Sequence, residues 1–419
     1  MLLPLILLDP TLDESLLRAM GGKGKGKGPP PPPSGEEAAK AHAELQQKRR
    51  AQMESEKREA QESIAQAKEL EAKKRDLEAR LSTLQSHAIA KVPWDTALLS
   101  THLCGGKGAA GVLHTGSAGG VEVVELPSNN AVCVRHGTCI ITESIADALA
   151  EVLGVRVARM RLVLADNDEC LFIKHAIDRF STLNISKEMK RLEKQLPTMD
   201  EETAAKVRAM INAGPSACAV LEFVPGHALD ISATALETPS PDLLAGIGQL
   251  CALDLLLNNM DRIPLPCWGN VGNLTNAIVT LDGELVGIDQ QVNHIEPGPG
   301  LDTYLSKVRD ISSQVLQGSA PGIATSISTA IKKHCGVELS DSSMEHIIQG
   351  MGTAFRKTIS EARAGSLAEA LAAAAVRAGK ATFNDYGQKS NFDPAGTAAV
   401  AVAFLQQVAD AVVEASANQ

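Results

Sequence analysis

Apolar and polar positions along the chain follow three different patterns, which predict three parts. Residues 1–35 end in GGKGKGKGPPPPPSG, which has too little apolar surface to offset the entropy of ordering a chain. Residues 36–88 carry charged side chains throughout, as in a long solvated helix. From residue 92 to residue 419, β-branched runs and apolar stretches alternate with turn residues. We therefore predict a disordered tail, a long helix and one large folded domain.

The first two parts each leave an alternative open. The proline run of the tail favours polyproline II and a linker, and a ligand for a proline-binding module is the other interpretation. In the helix, Leu70, Leu77 and Leu84 repeat at intervals of seven, but Ser63 and Lys74 interrupt the apolar seam. Residues 36–88 therefore form either a solvated single helix or a coiled coil that makes a homodimer.

The first half of the large domain is predicted to form a small sheet that carries one helix. VEVVEL and AVCVRH flank the turn-forming PSNN and predict a hairpin. TESIADALAEVLG predicts a helix with Thr142 as N-cap and Gly154 as its end. Further strands are predicted in RMRLVLA, in CLFIKHA at residues 170–176 and in ACAVLEFVPG, with a charged helical insertion at residues 181–214.

The second half reads as mostly helical. DLLAGIGQLCALDLLLNN is apolar nearly all round, which is typical of a core helix. AIVTL and ELVGI flank Asp-Gly, a strong hairpin signal, and helical patterns follow to residue 419. Because the two halves differ in character, the fold class is predicted to be α+β with two lobes.

Composition and charge narrow the classes of partner and compartment. The chain is 44% hydrophobic and only 3% aromatic, so alanine fills much of a helix-rich interior. A formal net charge of -10 argues against nucleic-acid binding, which needs a basic face. No basic membrane-facing patch is found, so no membrane partner is expected. The eight cysteines form no Cys-x-x-Cys pair and suggest neither a zinc knuckle nor a disulfide framework, which favours a reducing, cytoplasmic compartment.

Three oxygen-bearing side chains stand around the second predicted hairpin. Asn276 comes directly before it, Asp289 directly after it, and Asp261 lies in the preceding loop. The two ends of a hairpin are adjacent, so Asn276 and Asp289 should lie side by side with Asp261 near them. Transfer of a phosphoryl group from metal-bound ATP needs such a set: an Asp to orient the attacking hydroxyl, and an Asn and a second Asp to hold the metal.

The order of these motifs resembles a known family. A glycine-containing hairpin, a helix, LEFVPG, NNMDRIPLPCWGNVGN, TNAIV and VGID follow one another between Val92 and Gln291. This order is similar to that of the catalytic domain of the actin-fragmin kinases, an atypical branch of the protein-kinase-like fold. NNMDR with the downstream Trp and Asn residues is the most specific part. The resemblance implies a bilobal fold with a small β-rich lobe and a larger helical lobe over residues 92–419.

The resemblance also implies site residues, cofactors and a partner. Asp261 would be catalytic, and Asn276 and Asp289 would bind Mg²⁺. ATP would contact Gly116, Gly119 and Gly120 above its phosphates, Arg135 and the helix residue Glu143 beside them, and Glu222 to Val224 at the hinge. Arg262 would brace the loop of Asp261. The implied activity is transfer of the γ-phosphate to Ser or Thr hydroxyls, with actin bound to a severing or capping protein as substrate.

Departures from the kinase pattern keep other functions open. Arg135 stands where a strand lysine is expected, and the planar guanidinium differs from an ammonium in reach and geometry. IDQQ replaces the common Asp-Phe-Gly, and no Ala-Pro-Glu segment follows, but the atypical family that the chain resembles also lacks both, so of these departures only Arg135 bears on activity. One alternative is a pseudokinase that binds nucleotide and acts as a scaffold. Another is a phosphoinositide kinase, for which the missing basic patch is a counter-argument.

Overall fold

A computed structural model of the chain has a mixed α+β architecture, as predicted. It describes residues 111–115, 121–126, 130–167, 169, 170, 173, 216–385, 388, 389 and 391–417, together with the single residues 47 and 58. The tail of residues 1–35, the long helix of residues 36–88 and the insertion at residues 181–214 otherwise lie outside these residues. The predictions for those three segments stay predictions.

A five-stranded antiparallel sheet opens the fold. Its strands are β1 (Gly111–Thr115), β2 (Val121–Leu126), β3 (Asn130–His136), β4 (Met160–Val163) and β5 (Cys218–Glu222), in the spatial order β1-β2-β3-β5-β4. The predicted hairpin is β2 and β3. Arg135 on β3 lies opposite Val121 on one side and Ala219 on the other, so it is placed on a central strand of the sheet.

Helix α1 (Ile140–Leu153) crosses between β3 and β4. It ends as predicted at Gly154, which adopts a left-handed conformation with φ of 68°. The predicted N-cap is wrong, because Thr142 lies inside the first turn and donates to the carbonyl of Cys139 over 3.0 Å. The strand predicted at residues 170–176 is also wrong at its described residues, since Cys170 and Ile173 are helical.

A second sheet follows the connection that leaves β5. It contains β6 (Gly226–Ala228), β7 (Ala277–Thr280) and β8 (Leu285–Gly287) in the order β6-β7-β8. The predicted hairpin is β7 and β8, and Gly283 supplies the positive φ of 81° in its turn. Ala277 pairs with Gly287, and the Ile288 amide donates to the Asn276 carbonyl over 2.9 Å. The register therefore brings Asn276 and the residue before Asp289 together.

Helices form the rest of the described fold. They are α2 (Ala233–Glu237), α3 (Pro241–Leu257), α4 (Pro299–Leu316), α5 (Pro321–Cys335), α6 (Asp341–Ala364), α7 (Ser366–Ala378) and α8 (Pro394–Ala417). Two further short strands, β9 (Asn384–Asp385) and β10 (Gln388–Lys389), pair between α7 and α8. The core helix predicted from its all-round apolar sequence is α3, which packs chiefly against α6.

Close approach of α3 and α6 depends on two glycines. A Cβ added at Gly248 would lie 1.9 Å from the Ile347 carbonyl oxygen, and one at Gly350 would lie 2.2 Å from the Ala245 carbonyl oxygen. Helices α6, α7 and α8 also contact α1. The helix of the five-stranded sheet is therefore packed directly onto the helical part of the fold.

Among the described residues, α8 is long and apolar enough by length and composition to cross a membrane. Its buried residues include Phe404, Leu405 and Val408, and Phe404 stacks on Tyr304 of α4 with ring centroids 6.0 Å apart. Packing in the core accounts for the apolar composition of this helix, so the composition is weak evidence for a membrane span.

Candidate active site

Asp261 and Asn276 are joined by side-chain hydrogen bonds. Asn258 ends α3 in a left-handed conformation and turns the chain into the loop of Asp261, while Asn276 stands directly before β7. Nδ2 of Asn276 donates to the Asp261 carbonyl over 2.8 Å and to Oδ2 of Asp261 over 3.1 Å. Within the described residues, Oδ1 of Asn276 accepts no hydrogen bond. This oxygen is therefore free to bind a cation, while the amide nitrogen fixes Asp261.

Asp289 follows β8 in a left-handed conformation with φ of 59°, which is uncommon for a residue other than glycine. Its side chain is 40% exposed, and its Oδ1 accepts a hydrogen bond from Nη1 of Arg135. Nε of Arg135 lies 3.1 Å from Oε1 of Glu143, which is buried in the first turn of α1. The guanidinium therefore links the five-stranded sheet to both α1 and the β7–β8 hairpin.

Arg262 holds the predicted loop together from inside the core. It is fully buried, and its Nε donates to the Asn276 carbonyl over 3.0 Å while Nη2 donates to the Ile288 carbonyl over 2.8 Å. Nη1 forms an ion pair with Asp254 of α3. Arg262, the residue after Asp261, is thus bonded to α3, to the backbone of Asn276 and to the residue before Asp289. These contacts are the bracing role expected of it.

Asp254 is a site residue that our sequence analysis did not identify. It is fully buried, and burial raises its pKa to about 6 although the neighbouring Arg262 lowers it. Asn259 also donates to its Oδ1 over 3.1 Å. A signal was present in the sequence, because Asp254 is the only charged residue between Leu243 and Leu257. A lone acid in a core helix predicts a buried cationic partner.

The long loop between Asp261 and Asn276 depends on one glycine. Gly272 has φ of 75°, and a Cβ added there would lie 2.6 Å from Cδ of Pro264 and 2.8 Å from the Arg262 carbonyl oxygen. The Asn273 amide donates to that same carbonyl over 2.8 Å. The 14 residues between Asp261 and Asn276 therefore fold back onto Arg262, which keeps Asn276 next to Asp261.

The predicted hinge separates two apolar clusters. Phe223 packs with one on the five-stranded sheet, and Val224 belongs to another near the β7–β8 hairpin. The first contains Val123, Ala131, Cys133 and Phe223; the second contains Ala158, Val224, Val286, Ile278 and Ile288. Apart from Phe223 and Val224, our sequence analysis did not assign these residues to the site, because single apolar positions in strands carry no distinguishing signal.

The side chain of Glu222 points to a different partner. Arg156 donates to both of its carboxylate oxygens, over 2.8 Å and 2.7 Å, and Nε of Arg156 lies 3.5 Å from Oε2 of Glu284 in the β7–β8 turn. Of the predicted hinge contacts, Glu222 can therefore contribute its backbone only. The three glycines predicted to lie above the phosphates are outside the described residues: Gly116, Gly119 and Gly120.

The family described as actin-fragmin kinase, catalytic, matches residues 81–296, which is more than half of the chain. The chain belongs to the actin-fragmin kinase catalytic family. No curated protein matches the chain. Membership confirms the resemblance deduced from the motifs, and the matched range includes every predicted site residue. The family is one of kinases, so a kinase-like function is supported, and with it ATP and a divalent cation.

Glu143 gives the actin-fragmin kinase site a pH dependence that can be measured. Burial raises its pKa to about 7 against the attraction of Arg135, and the charge of Asp289 adds to the rise. The folded chain therefore keeps a proton that the unfolded chain loses above about pH 4.5. As pH rises from about 4.5 to about 7, this group makes the free energy of unfolding smaller.

We expect Glu143→Gln to remove this slope. The free energy of unfolding of the variant minus that of the wild type should rise between about pH 4.5 and about pH 7, because in this range only the wild type has an acid that is protonated when folded and ionised when unfolded. Urea denaturation of both proteins at several pH values measures this difference. The pH-dependent contributions of other carboxyls, such as Asp147 and Asp254, are the same in both proteins and cancel. A difference that is constant with pH contradicts the raised pKa of Glu143.

Proposed function

We propose that the chain is a protein kinase that transfers the γ-phosphate of Mg²⁺-bound ATP to Ser or Thr hydroxyls. The observation that carries this proposal is the hydrogen-bonded pair of Asp261 and Asn276 beside Asp289, with Arg135 and Glu143 facing them from the sheet and α1. The five-stranded sheet with α1 would be the smaller lobe, and α3 to α8 the larger lobe, of a bilobal kinase-like fold over residues 92–419.

The residues present fit a magnesium ion. Mg²⁺ prefers oxygen ligands and commonly takes one or two from protein, with the rest from phosphate and water. Oδ1 of Asn276 accepts no hydrogen bond within the described part of the chain, and only one oxygen of Asp289 contacts Arg135. These two side chains would hold the ion, which neutralises phosphate charge when bound.

The remaining side chains would bind and orient the reactants. The hinge clusters containing Phe223 and Val224 offer an apolar surface on each side of an adenine ring, and the hinge backbone would bind its edge. Arg135 would exchange its contact with Asp289 for the phosphates while Glu143 keeps the guanidinium in place. The exposed carboxylate of Asp261 would accept the proton of the attacking hydroxyl.

We propose actin bound to a severing or capping protein as the substrate to test, in a cytoplasmic setting. The support is the family's description, which names actin and fragmin. A kinase that accepts such a complex needs an exposed catalytic acid, and Asp261 is exposed beside the exposed Met260.

The test is transfer of label from ATP labelled on its γ-phosphate. The full chain is incubated with Mg²⁺ and actin, with and without a capping protein, and the labelled residue is identified. We expect label on Ser or Thr, loss of labelling when Mg²⁺ is chelated, and loss with Asp289→Ala but not with Asp310→Ala, which removes an exposed acid from α4. ATP binding without transfer to either form of actin, or to the chain itself, would refute the kinase proposal.

A further inference from the structure

A cavity of about 420 Å³ is lined in part by α1, and Glu143 is not among its lining residues. Its walls come from three elements: Ser144, Asp147 and Glu151 of α1, the β4 segment from Arg159 to Leu164, and one face of α7 with the residue Lys380 that follows it. Arg135, Asp261, Asn276 and Asp289 are absent from its lining. The cavity is therefore separate from the candidate active site, although α1 contributes to both.

The floor and the rim of the cavity differ in chemistry. Met160, Leu162, Leu164 and Ala374 give it an apolar floor. Its cationic residues are Arg159, Arg161, Arg377 and Lys380. Cations around an apolar floor are suited to a molecule with an apolar body and an anionic group.

Two of the four cations are already neutralised by neighbouring acids. Arg159 forms ion pairs with Glu151 at 2.6 Å and Asp147 at 3.6 Å, and Arg161 pairs with both oxygens of Glu169. These two arginines are thus paired with three acids, so the pairs add no positive charge to the cavity.

The other two cations of the cavity are Arg377 and Lys380. Both are exposed at the end of α7, and neither forms an ion pair among the residues that the structure describes. Arg377 acts on Asp147 only at longer range, where it lowers the pKa of that buried acid. An anion at this rim would find two unpaired cations.

We propose that this cavity binds a small amphipathic organic anion, with its apolar body on Met160 and Leu162 and its carboxylate, sulfonate or phosphate group between Arg377 and Lys380. A cavity of 420 Å³ is within the size range of small-molecule sites. The ligand would contact α1 and α7 at once and so hold α1 against the helical part of the fold.

Occupancy of the cavity is coupled to the nucleotide site through two short paths; this part rests on the proposed function. Ser144 lines the cavity directly after Glu143, which positions Arg135. The Arg159 carbonyl accepts the Glu222 amide of the hinge over 2.8 Å. A ligand that stabilises one position of α1 and of the Arg159 backbone changes the affinity for ATP, and ATP changes the affinity for the ligand by the same factor.

The test uses 8-anilinonaphthalene-1-sulfonate, a fluorescent probe with an apolar aromatic body and one sulfonate. We expect saturable binding to the folded full chain, weakened about tenfold by Arg377→Glu and by Lys380→Glu. Lys333→Glu makes the same charge change on α5, outside the cavity lining, and should leave binding unchanged. Leu164→Trp should block binding by filling the cavity without any change of charge.

Circular dichroism is used to check that each variant is folded. The binding results for the folded variants then decide the proposal. Absence of saturable binding to the wild type overturns the proposal, as does binding that Arg377→Glu, Lys380→Glu and Leu164→Trp all leave intact. Loss of binding in these three variants but not in Lys333→Glu supports it.

A second titration, in the presence of Mg-ATP, tests the coupling. We expect the dissociation constant of the probe to shift to a plateau about fivefold from its starting value. A constant that rises in proportion to ATP without limit places the probe in the nucleotide site and overturns the proposal. No shift while ATP is bound overturns the coupling alone. If ATP does not bind at all, the proposed kinase function fails, and the first titration still decides whether the cavity binds anions.

Discussion

Asp261→Asn is expected to slow phosphotransfer by about 10² to 10⁴ while leaving ATP affinity nearly unchanged. The asparagine keeps the shape of the side chain and an oxygen that can accept from Nδ2 of Asn276, so the loop geometry should persist. It loses the negative charge that accepts the proton of the attacking hydroxyl. The effect should therefore appear in kcat and not in the dissociation constant of ATP.

The measurement is steady-state phosphotransfer, with ATP binding measured separately by calorimetry. Asp282→Asn is the matched control, because it also removes an exposed carboxylate, from the β7–β8 turn. Equal rates for wild type and Asp261→Asn would show that Asp261 is not the catalytic base.

Arg262→Met is expected to have the largest effect on stability, a loss of about 3 to 5 kcal/mol in the free energy of unfolding. The change leaves the Asp254 carboxylate buried without its cation, removes the side-chain donor of the Ile288 carbonyl, and leaves the Asn276 carbonyl with the Ile288 amide as its donor. Arg309→Met, which breaks an exposed ion pair with Glu414, should cost under about 1 kcal/mol.

The double variant Arg262→Met with Asp254→Leu separates two causes of this loss. If the cost comes mainly from the uncompensated Asp254, the double variant should recover much of the stability of the wild type, because apolar residues often replace a buried ion pair without loss. Urea denaturation of the wild type, Arg262→Met, Asp254→Leu and the double variant measures the four free energies of unfolding that this comparison needs. A double variant as unstable as Arg262→Met alone would assign the cost to the carbonyls of Asn276 and Ile288 instead.

Local signals in the sequence were sufficient for much of the fold. Helix α3 was predicted because its apolar residues exceed one stripe, and the β7–β8 hairpin because Asp-Gly fixes the turn and thus the register. The neighbourhood of Asn276 and Asp289 follows from that register alone. Membership in the actin-fragmin kinase family was deducible from the order of the same motifs.

Other features depend on tertiary contacts that local patterns do not contain. Helix α1 begins two residues before Thr142, and its preceding residue Cys139 provides no side-chain cap, so the usual preference for Thr at this position was misleading. The apolar run at Cys170 has high strand propensity but is helical there. The link from Arg135 to Asp289 joins residues 154 positions apart, which no periodicity predicts.

The contact of α3 and α6 at Gly248 and Gly350 shows that the folded domain extends beyond the residues that match the family. The family match ends at residue 296, but α6 lies beyond that residue and covers the helix that precedes Asp261. A residue larger than glycine at position 350 would clash with the backbone of α3, so the helix crossing requires glycine there. A domain boundary placed at residue 296 would divide the hydrophobic core, which has residues on both sides of it. The catalytic motifs therefore depend for their folding on later helices that carry no motif.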